Sequence, residues 1–338
     1  MELFGIEAWV VNAQHIKMVP GRKTDVKDAE WIASLMRHGL LKRSFIPNRP
    51  QRELRELLRY RKSMIDERSR ELNRMQKVLE GANIKLASVA SDILGVSSRK
   101  MIEGIIEGQS TPEELAQHAK GRMKAKKDEL AKALDGLVGP HQQMMLSEQL
   151  KHLDYLDEQI KRLDHAVARQ MNMAEELIQL LDTIPGVGRR TAEHLLGEVG
   201  LDMSRFPDAA HLASWVGMAP GNNESAGKRK SGRTRKGNKH LRSALVEAGR
   251  AATRTKDTFL SAMYHRIAAR RGKNRAALAV GHRILVIFYH IVTNREPYKE
   301  LGANYHDQRR KQSVVNRTVK RLEAMGYKVT IEETSQAA

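Results

Sequence analysis

The chain has 338 residues, with 59 Lys and Arg against 40 Asp and Glu, giving a formal net charge of +19 at pH 7. A neutral metabolic enzyme has no need of such a surplus. It favours a polyanionic partner, because each phosphate neutralised by Lys or Arg releases condensed counterions. Nucleic acid is the leading partner, and an anionic membrane surface is set aside, since neither terminus supplies an amphipathic anchor or a lipidation signal. The absence of cysteine excludes a disulfide scaffold, a zinc ribbon and a thiol nucleophile, and a hydrophobic fraction of 41% supports packed cores, with two domains expected at this length.

In chain order, Ile6 to Val11 reads as a buried strand from its β-branched and aromatic content. Pro20-Gly21 is a turn, and Thr24 is an N-cap for a helix whose apolar face is Ala29, Ile32, Ala33 and Met36. After Pro50, Leu54, Leu58, Ile65, Leu72, Met75 and Leu79 recur at near-heptad spacing, which predicts a long coiled-coil-type helix. Shorter helices follow between Gly81 and Gly139, one of them started by Thr111-Pro112-Glu113-Glu114 with its cap, proline and dipole-facing acids. Beyond Gly139-Pro140, Leu146, Leu150, Leu153, Leu156, Ile160, Leu163 and Val167 describe a second long helix with a narrow seam, expected to pair with the first within the chain or across a dimer. The most apolar run, Ala276 to Val292, is interrupted by His282, Arg283 and His290, so it reads as a core helix and not a membrane span. The tail after Tyr305 reads as charged, polar and partly mobile.

Three constellations could carry chemistry. Asp25 and Asp28 stand three apart at a helix start, a spacing that puts both carboxylates on one face and suits a hydrated Mg²⁺. The alternative is a helical first turn with acids favoured by the macrodipole. In Ile184-Pro185-Gly186-Val187-Gly188-Arg189-Arg190, the pattern is that of a helix-hairpin-helix: Gly186 and Gly188 let the backbone approach a phosphate, and Arg189 and Arg190 add charge. Against it stands an ordinary glycine turn between packed helices. Pro220 to Arg242 is a loop of small residues crowded with Lys228, Arg229, Lys230, Arg233, Arg235, Lys236, Lys239 and Arg242. Ser225 sits there beside Ala226-Gly227, where a phosphodiester could approach a hydroxyl amid positive charge. A loop that grips phosphate is the reading these residues favour by themselves, ahead of a nucleophilic serine. With aromatics at only 4%, phosphate contacts should outweigh base stacking.

Taken together, the run Trp9-Val10-Val11-Asn12-Ala13 followed by Val19 to Ala33, the Pro-Gly-Val-Gly turn, and the Ser225-Ala-Gly-Lys to Gly237-Asn-Lys-His-Leu-Arg block resemble the IS110-family transposases over most of the chain. The resemblance implies a mainly α fold with a small α/β part. Its pieces are an RNase H-like (RuvC-like) domain, long coiled-coil helices and a helical C-terminal domain with a helix-hairpin-helix. It divides the chain into residues 1–80, a truncated RuvC-like domain and the start of the coiled coil; 81–179, a helical and coiled-coil region; 180–305, the C-terminal transposase domain; and 306–338, a charged tail.

The family cuts and rejoins DNA with an Asp-Glu-Asp-Asp metal tetrad and a C-terminal serine. Asp25 and Asp28 match the third and fourth acids, and Ser225 the serine, with Ser231 as substitute. The resemblance further implies Mg²⁺, a homo-oligomer in which acids and serine come from different protomers, a structured guide RNA, and a bacterial cytoplasmic, nucleoid-associated location. Only Glu2 and Glu7 precede Asp25. The expectation is therefore a truncated copy, or a start at an internal Met, lacking two acids and at least two strands and leaving a parallel-type sheet with an open edge. The rival expectation is a non-catalytic DNA- or RNA-binding protein that uses the glycine turn and the basic loop.

Overall fold

The computed structural model describes residues 4, 9–11, 25–41, 43–44, 46–108, 110–219, 223–225, 227–231, 234, 236–308 and 311–331. In chain order the elements are β1 (Val10–Val11), α1 (Asp25–Arg37), β2 (Arg43–Ser44), α2 (Arg49–Gly81), α3 (Leu86–Val89), α4 (Val96–Glu107), α5 (Pro112–Ala116), α6 (Lys127–Leu134), α7 (Pro140–Gln170), α8 (Glu175–Asp182), α9 (Arg189–Val199), α10 (Ala209–Val216), β3 (Asn223–Ser225), β4 (Lys228–Ser231), α11 (Lys239–Ala251), α12 (Phe259–Arg271), α13 (Lys273–Asn294), α14 (Tyr305–Gln308) and α15 (Lys311–Ala324). The described chain is mainly helical and divides into two units, Met1–Glu53 and Leu54–Ala338.

In the first unit β1 pairs antiparallel with β2, Val10 opposite Ser44 and Val11 opposite Arg43. This corrects the expected parallel-type edge: β1 takes its partner from the segment that returns after α1, not from a crossover strand. The Arg43 guanidinium lies 5.8 Å from the Trp9 ring centre, a cation–π contact. Helix α1 stops at Gly39, whose φ of +67° suits a left-handed cap, with the Leu40 amide donating to the Leu35 carbonyl at 2.9 Å. The expected N-cap Thr24 lies outside the described residues, as does Ile6–Ala8 of the expected strand.

The second unit holds two buried cores. One gathers Met75, Leu79, Ile84, Met101, Ile102, Leu130, Leu146 and Leu153. The other gathers Leu177, Leu181, Ile184, Leu195, Leu212, Leu245, Ile284 and Phe288. The long helices α2 and α7 run between them and pair within the chain. Arg61 donates to Asp164 at 2.9 Å and Arg68 to Asp157 at 2.5 and 3.1 Å, so seven residues forward on α2 (61 to 68) match seven back on α7 (164 to 157). The two ion pairs set the helices antiparallel. Arg99 of α4 grips Asp154 of α7 at 2.6 and 2.7 Å.

Local starts follow the sequence where it is explicit. Thr111 and Glu114 form a capping box, with the Glu114 amide donating to Thr111 Oγ1 at 3.3 Å and the Thr111 amide to Glu114 Oε2 at 2.8 Å. Helix α13 is long and apolar enough to cross a membrane by length and composition, yet Val280, Ile284, Leu285 and Phe288 are fully buried in the second core. One expectation is corrected here: the basic segment expected as a loop contains the β3–β4 hairpin. The charged tail carries helices α14 and α15. Phe259 stacks edge-on against Tyr305 at 5.3 Å, which gives the start of that tail an apolar seat.

Candidate nucleic-acid interface

The basic segment leaves helix α10 through Gly217, left-handed at φ +78°, with the Met218 amide donating to the Ala213 carbonyl at 2.9 Å. It then folds into an antiparallel hairpin in which Asn223 opposes Ser231, Glu224 opposes Arg229 and Ser225 opposes Lys228, with an irregularity between Asn223 and Glu224. Ser225 ends β3, and Gly227, at φ +72°, shapes the tip. The backbone thus sets Ser225 directly across from Lys228, with Arg229 and Lys230 following along β4. Arg233 and Arg235 lie outside the described residues; Lys236 and Lys239 are exposed beyond the hairpin.

Beyond the hairpin, the entry of the chain into α11 is fixed by two consecutive residues. A Cβ at Gly237 would collide with the Val216 carbonyl and the Gly217 amide, so only glycine lets the chain pass this close to the end of α10. Asn238 caps α11, its Oδ1 accepting from the His240 and Leu241 amides at 3.1 and 3.2 Å. The same side chain reaches in the other direction, Nδ2 donating to Glu198 Oε2 at 2.6 Å.

Glu198 is completely buried near the end of α9. Arg59 of α2 donates to both of its oxygens, Nε to Oε1 at 2.6 Å and Nη2 to Oε2 at 2.8 Å, while Arg55 donates to its backbone carbonyl. Burial would raise the carboxyl's pKa, but the hydrogen bonds from Arg59 and Asn238 outweigh it and hold the group below the usual carboxylate range. Sequence reasoning missed this group. The one signal was the Asn just before an apolar-periodic helix, since α9 carries two buried acids, Glu193 and Glu198, and their spacing does not single out the second.

The Ile184–Gly188 turn joins α8 to α9. Gly186, at φ +86°, faces inward: a Cβ there would collide with the Ala248 carbonyl and the backbone of Ala252. Its close approach is therefore to the end of α11. Gly188 is open to its surroundings and forms the extended N-cap of α9. Arg189 donates to Glu175 at 2.7 Å through both Nη atoms and to Glu193 at 3.0 Å, and its hydrogen bonds draw the Glu175 carboxyl below its ordinary range. Arg190 donates to Asp164 at 2.6 Å. Both arginines are about half exposed but locally compensated.

Between α2, α9 and α11 lies an open cleft of about 470 Å³, lined among others by Lys62, Arg190, His194, Lys239 and His240. Burial lowers the His194 pKa, and burial together with the Arg59 charge lowers that of His240. Arg242 follows one turn into α11.

In the first unit Asp25 opens α1 and Asp28, exposed, follows one turn later. Among the described residues no group of three or more His, Asp or Glu could hold a metal ion.

Comparison with known proteins matches two stretches of the chain. Residues 178–265 match the family model described as "Transposase IS116/IS110/IS902 family", and residues 3–84 match a second model, of the DEDD IS110 type, described as "Transposase". The first span contains the glycine turn and the basic hairpin; the second contains Asp25 and Asp28. A pilin gene-inverting protein of Moraxella bovis is 32% identical over 158 residues, 44% of this chain and 47% of that protein. The transposase for insertion sequence element IS1111A of Coxiella burnetii is 26% identical over 302 residues, 87% of this chain and 74% of that protein. An insertion element IS110 uncharacterized 43.6 kDa protein of Streptomyces coelicolor is 29% identical over 250 residues, covering 68% and 60%. The match spans about half the length of the pilin gene-inverting relatives.

Proposed function

We propose, on the premise that this chain belongs to the IS110 family of transposases, that it cuts and rejoins DNA as an insertion-element recombinase. The observation that carries the reading is the placement of Ser225 at the end of β3 opposite Lys228, on a hairpin whose second strand is Lys-Arg-Lys-Ser, inside the span matched by the transposase model. In the proposed step the Ser225 Oγ–P bond forms as one phosphodiester P–O bond breaks, which frees a deoxyribose hydroxyl, and the serine proton passes to solvent. Attack by a hydroxyl of a second strand reverses the exchange, releases the serine and joins the new partners. Cations along β4 lower the cost of the charge that develops on the phosphoryl oxygens.

Asp25 and Asp28 fit the demands of Mg²⁺, which accepts one or two carboxylates and completes its shell with water and phosphate oxygens. They stand one turn apart in the first turn of α1. The chemistry such an ion supplies is polarisation of a phosphoryl oxygen. The reading extends, by family resemblance, to an RNase H-like character for the N-terminal segment, a helix-hairpin-helix role for the turn at Gly186 and Gly188, a homo-oligomer in which acids and serine come from different protomers, and a structured guide RNA in the bacterial cytoplasm.

The test is strand cleavage of element-end DNA with Mg²⁺ and the cognate RNA. Loss of cleavage in Ser225→Ala and in Asp28→Asn, with DNA affinity retained, supports the reading. Full activity in Ser225→Ala removes the serine from it. Binding with no cleavage by the wild-type chain favours the non-catalytic alternative.

A further inference from the structure

Asn238 is the N-cap of α11, between the hairpin and that helix, and its two amide atoms are used in opposite directions. Oδ1 caps the helix that follows, at 3.1 and 3.2 Å, while Nδ2 is held at 2.6 Å by Glu198. A cap requires only the oxygen, and Asp or Ser would serve equally well. The second bond has another consequence: it ties the segment between the hairpin and α11 to a buried carboxylate that is itself clamped by Arg59 from α2. Glu198 accepts three hydrogen bonds on its two oxygens and is shut off from solvent, so it has no freedom to follow a moving partner. Gly237, pressed against the end of α10, fixes the adjoining backbone by a different means.

We infer that Glu198 is a positioning residue for the DNA reaction, acting through Asn238 to fix the foot of the hairpin that presents Ser225 and the basic strand. The inference rests on the recombinase reading above. Glu198 touches no reacting atom; it sets where the hairpin stands against the rest of the second unit.

The bond between the two residues can be broken from either side and remade with its polarity reversed. In Asn238→Asp the cap oxygen is kept, but the donor is removed and a second carboxylate faces Glu198. In Glu198→Gln the charge is removed and an amide can face the Asn238 amide. In the double variant Glu198→Gln with Asn238→Asp, the glutamine amide donates to the aspartate, and its oxygen still accepts from Arg59. The full-length chain in these four forms is compared by amide hydrogen exchange and by the rate of covalent adduct formation on element-end DNA.

The expected result is that each single variant lowers exchange protection of the 223–231 amides and kcat for adduct formation by about tenfold or more, the scale of one charge-assisted hydrogen bond. Protection of α11 and KM for DNA change little, and the double variant restores both hairpin protection and kcat. Wild-type hairpin protection and kcat in the single variants would overturn the inference. So would joint loss of hairpin and α11 protection that the double variant fails to restore, which marks a merely structural residue. If the wild-type chain forms no adduct, the recombinase reading falls, and the exchange measurements still decide whether Glu198 holds the hairpin.

Discussion

The Arg61 guanidinium donates to Glu193 at 2.7 Å with both side chains 4% exposed, joining α2 to α9 across 132 positions of sequence. Asp164 of α7 takes the same Nη1 at 2.9 Å. Three helices therefore converge on one buried cation beside the candidate interface. Removing Glu193 leaves the buried cation with Asp164, itself partly exposed, as its carboxylate partner, so Glu193→Ala is expected to lower stability by up to roughly 3 kcal/mol. Replacing both members, Arg61→Met with Glu193→Leu, is expected to recover most of that loss. Urea unfolding midpoints check both outcomes; equal loss in the single and double variants contradicts the assignment.

The antiparallel register of α2 and α7 makes a different prediction for its apolar seam and its flanking ion pairs. Leu153 and Leu156 are 1% exposed, and Leu→Ala at either is expected to cost about 2 to 5 kcal/mol. Arg68 and Asp157 are 30% and 40% exposed, and Arg68→Ala should cost less than about 1 kcal/mol. Thermal unfolding of the three variants ranks them; a larger loss for Arg68→Ala than for Leu156→Ala would reverse the account of what holds the helices together.

Much of this frame was legible in the sequence. The two seams give their helices away because apolar residues recur at steps of three, four or seven over about six to seven turns, and Thr111 announces its helix because its capping chemistry is local. The hairpin was less legible: Asn223–Ser225 and Lys228–Ser231 carry no apolar alternation, so the strand signal is absent and only the glycine between them marks a turn. Glu198 and Arg59 were illegible, because their meaning comes from a pairing of residues 139 positions apart. Arg189 and Arg190 look like free cations in sequence, yet acids from α8, α9 and α7 claim them.

That difference separates two sets of basic residues by the salt dependence of DNA binding. Replacing Lys228, Arg229 and Lys230 together by Ala should reduce the slope of log affinity against log salt by about 2 to 3, one increment for each phosphate left without its cation. Arg189→Ala and Arg190→Ala each remove a cation already compensated by carboxylates and should change the slope by less than about 1. Fluorescence anisotropy between about 50 and 200 mM salt, concentrations at which this effect is large, distinguishes the two. Equal slopes for the triple variant and the wild type would remove the hairpin from the interface.

Stability should fall on acidification in two steps. His194 is buried and its folded pKa lies below the ordinary 6.5. The unfolded chain therefore binds the proton first, and stability declines as pH falls below 6.5 toward the folded value. Glu198 has a folded pKa below its ordinary 4.5; its contribution is complete above that value and is lost as pH falls from there through the folded pKa. His240 and His282, also held below 6.5 chiefly by burial, share the first step, so His194→Gln should reduce that step and leave the second. Urea titrations at about pH 7.5, 6, 5 and 4, chosen to bracket the two ordinary values, follow the change, and an unaltered first step in that variant would assign it to another group.

The central claim is that Ser225 becomes bonded to DNA phosphorus. It is tested by incubating the full-length chain with element-end DNA, Mg²⁺ and cognate RNA, denaturing the mixture, and measuring the mass of the proteolytic peptide that carries Ser225. A peptide enlarged by a nucleotide phosphate at Ser225, absent in Ser225→Ala, is the predicted result. Efficient strand exchange with the Ser225 peptide unmodified, or an adduct mapped to Ser231 or another residue, would contradict it.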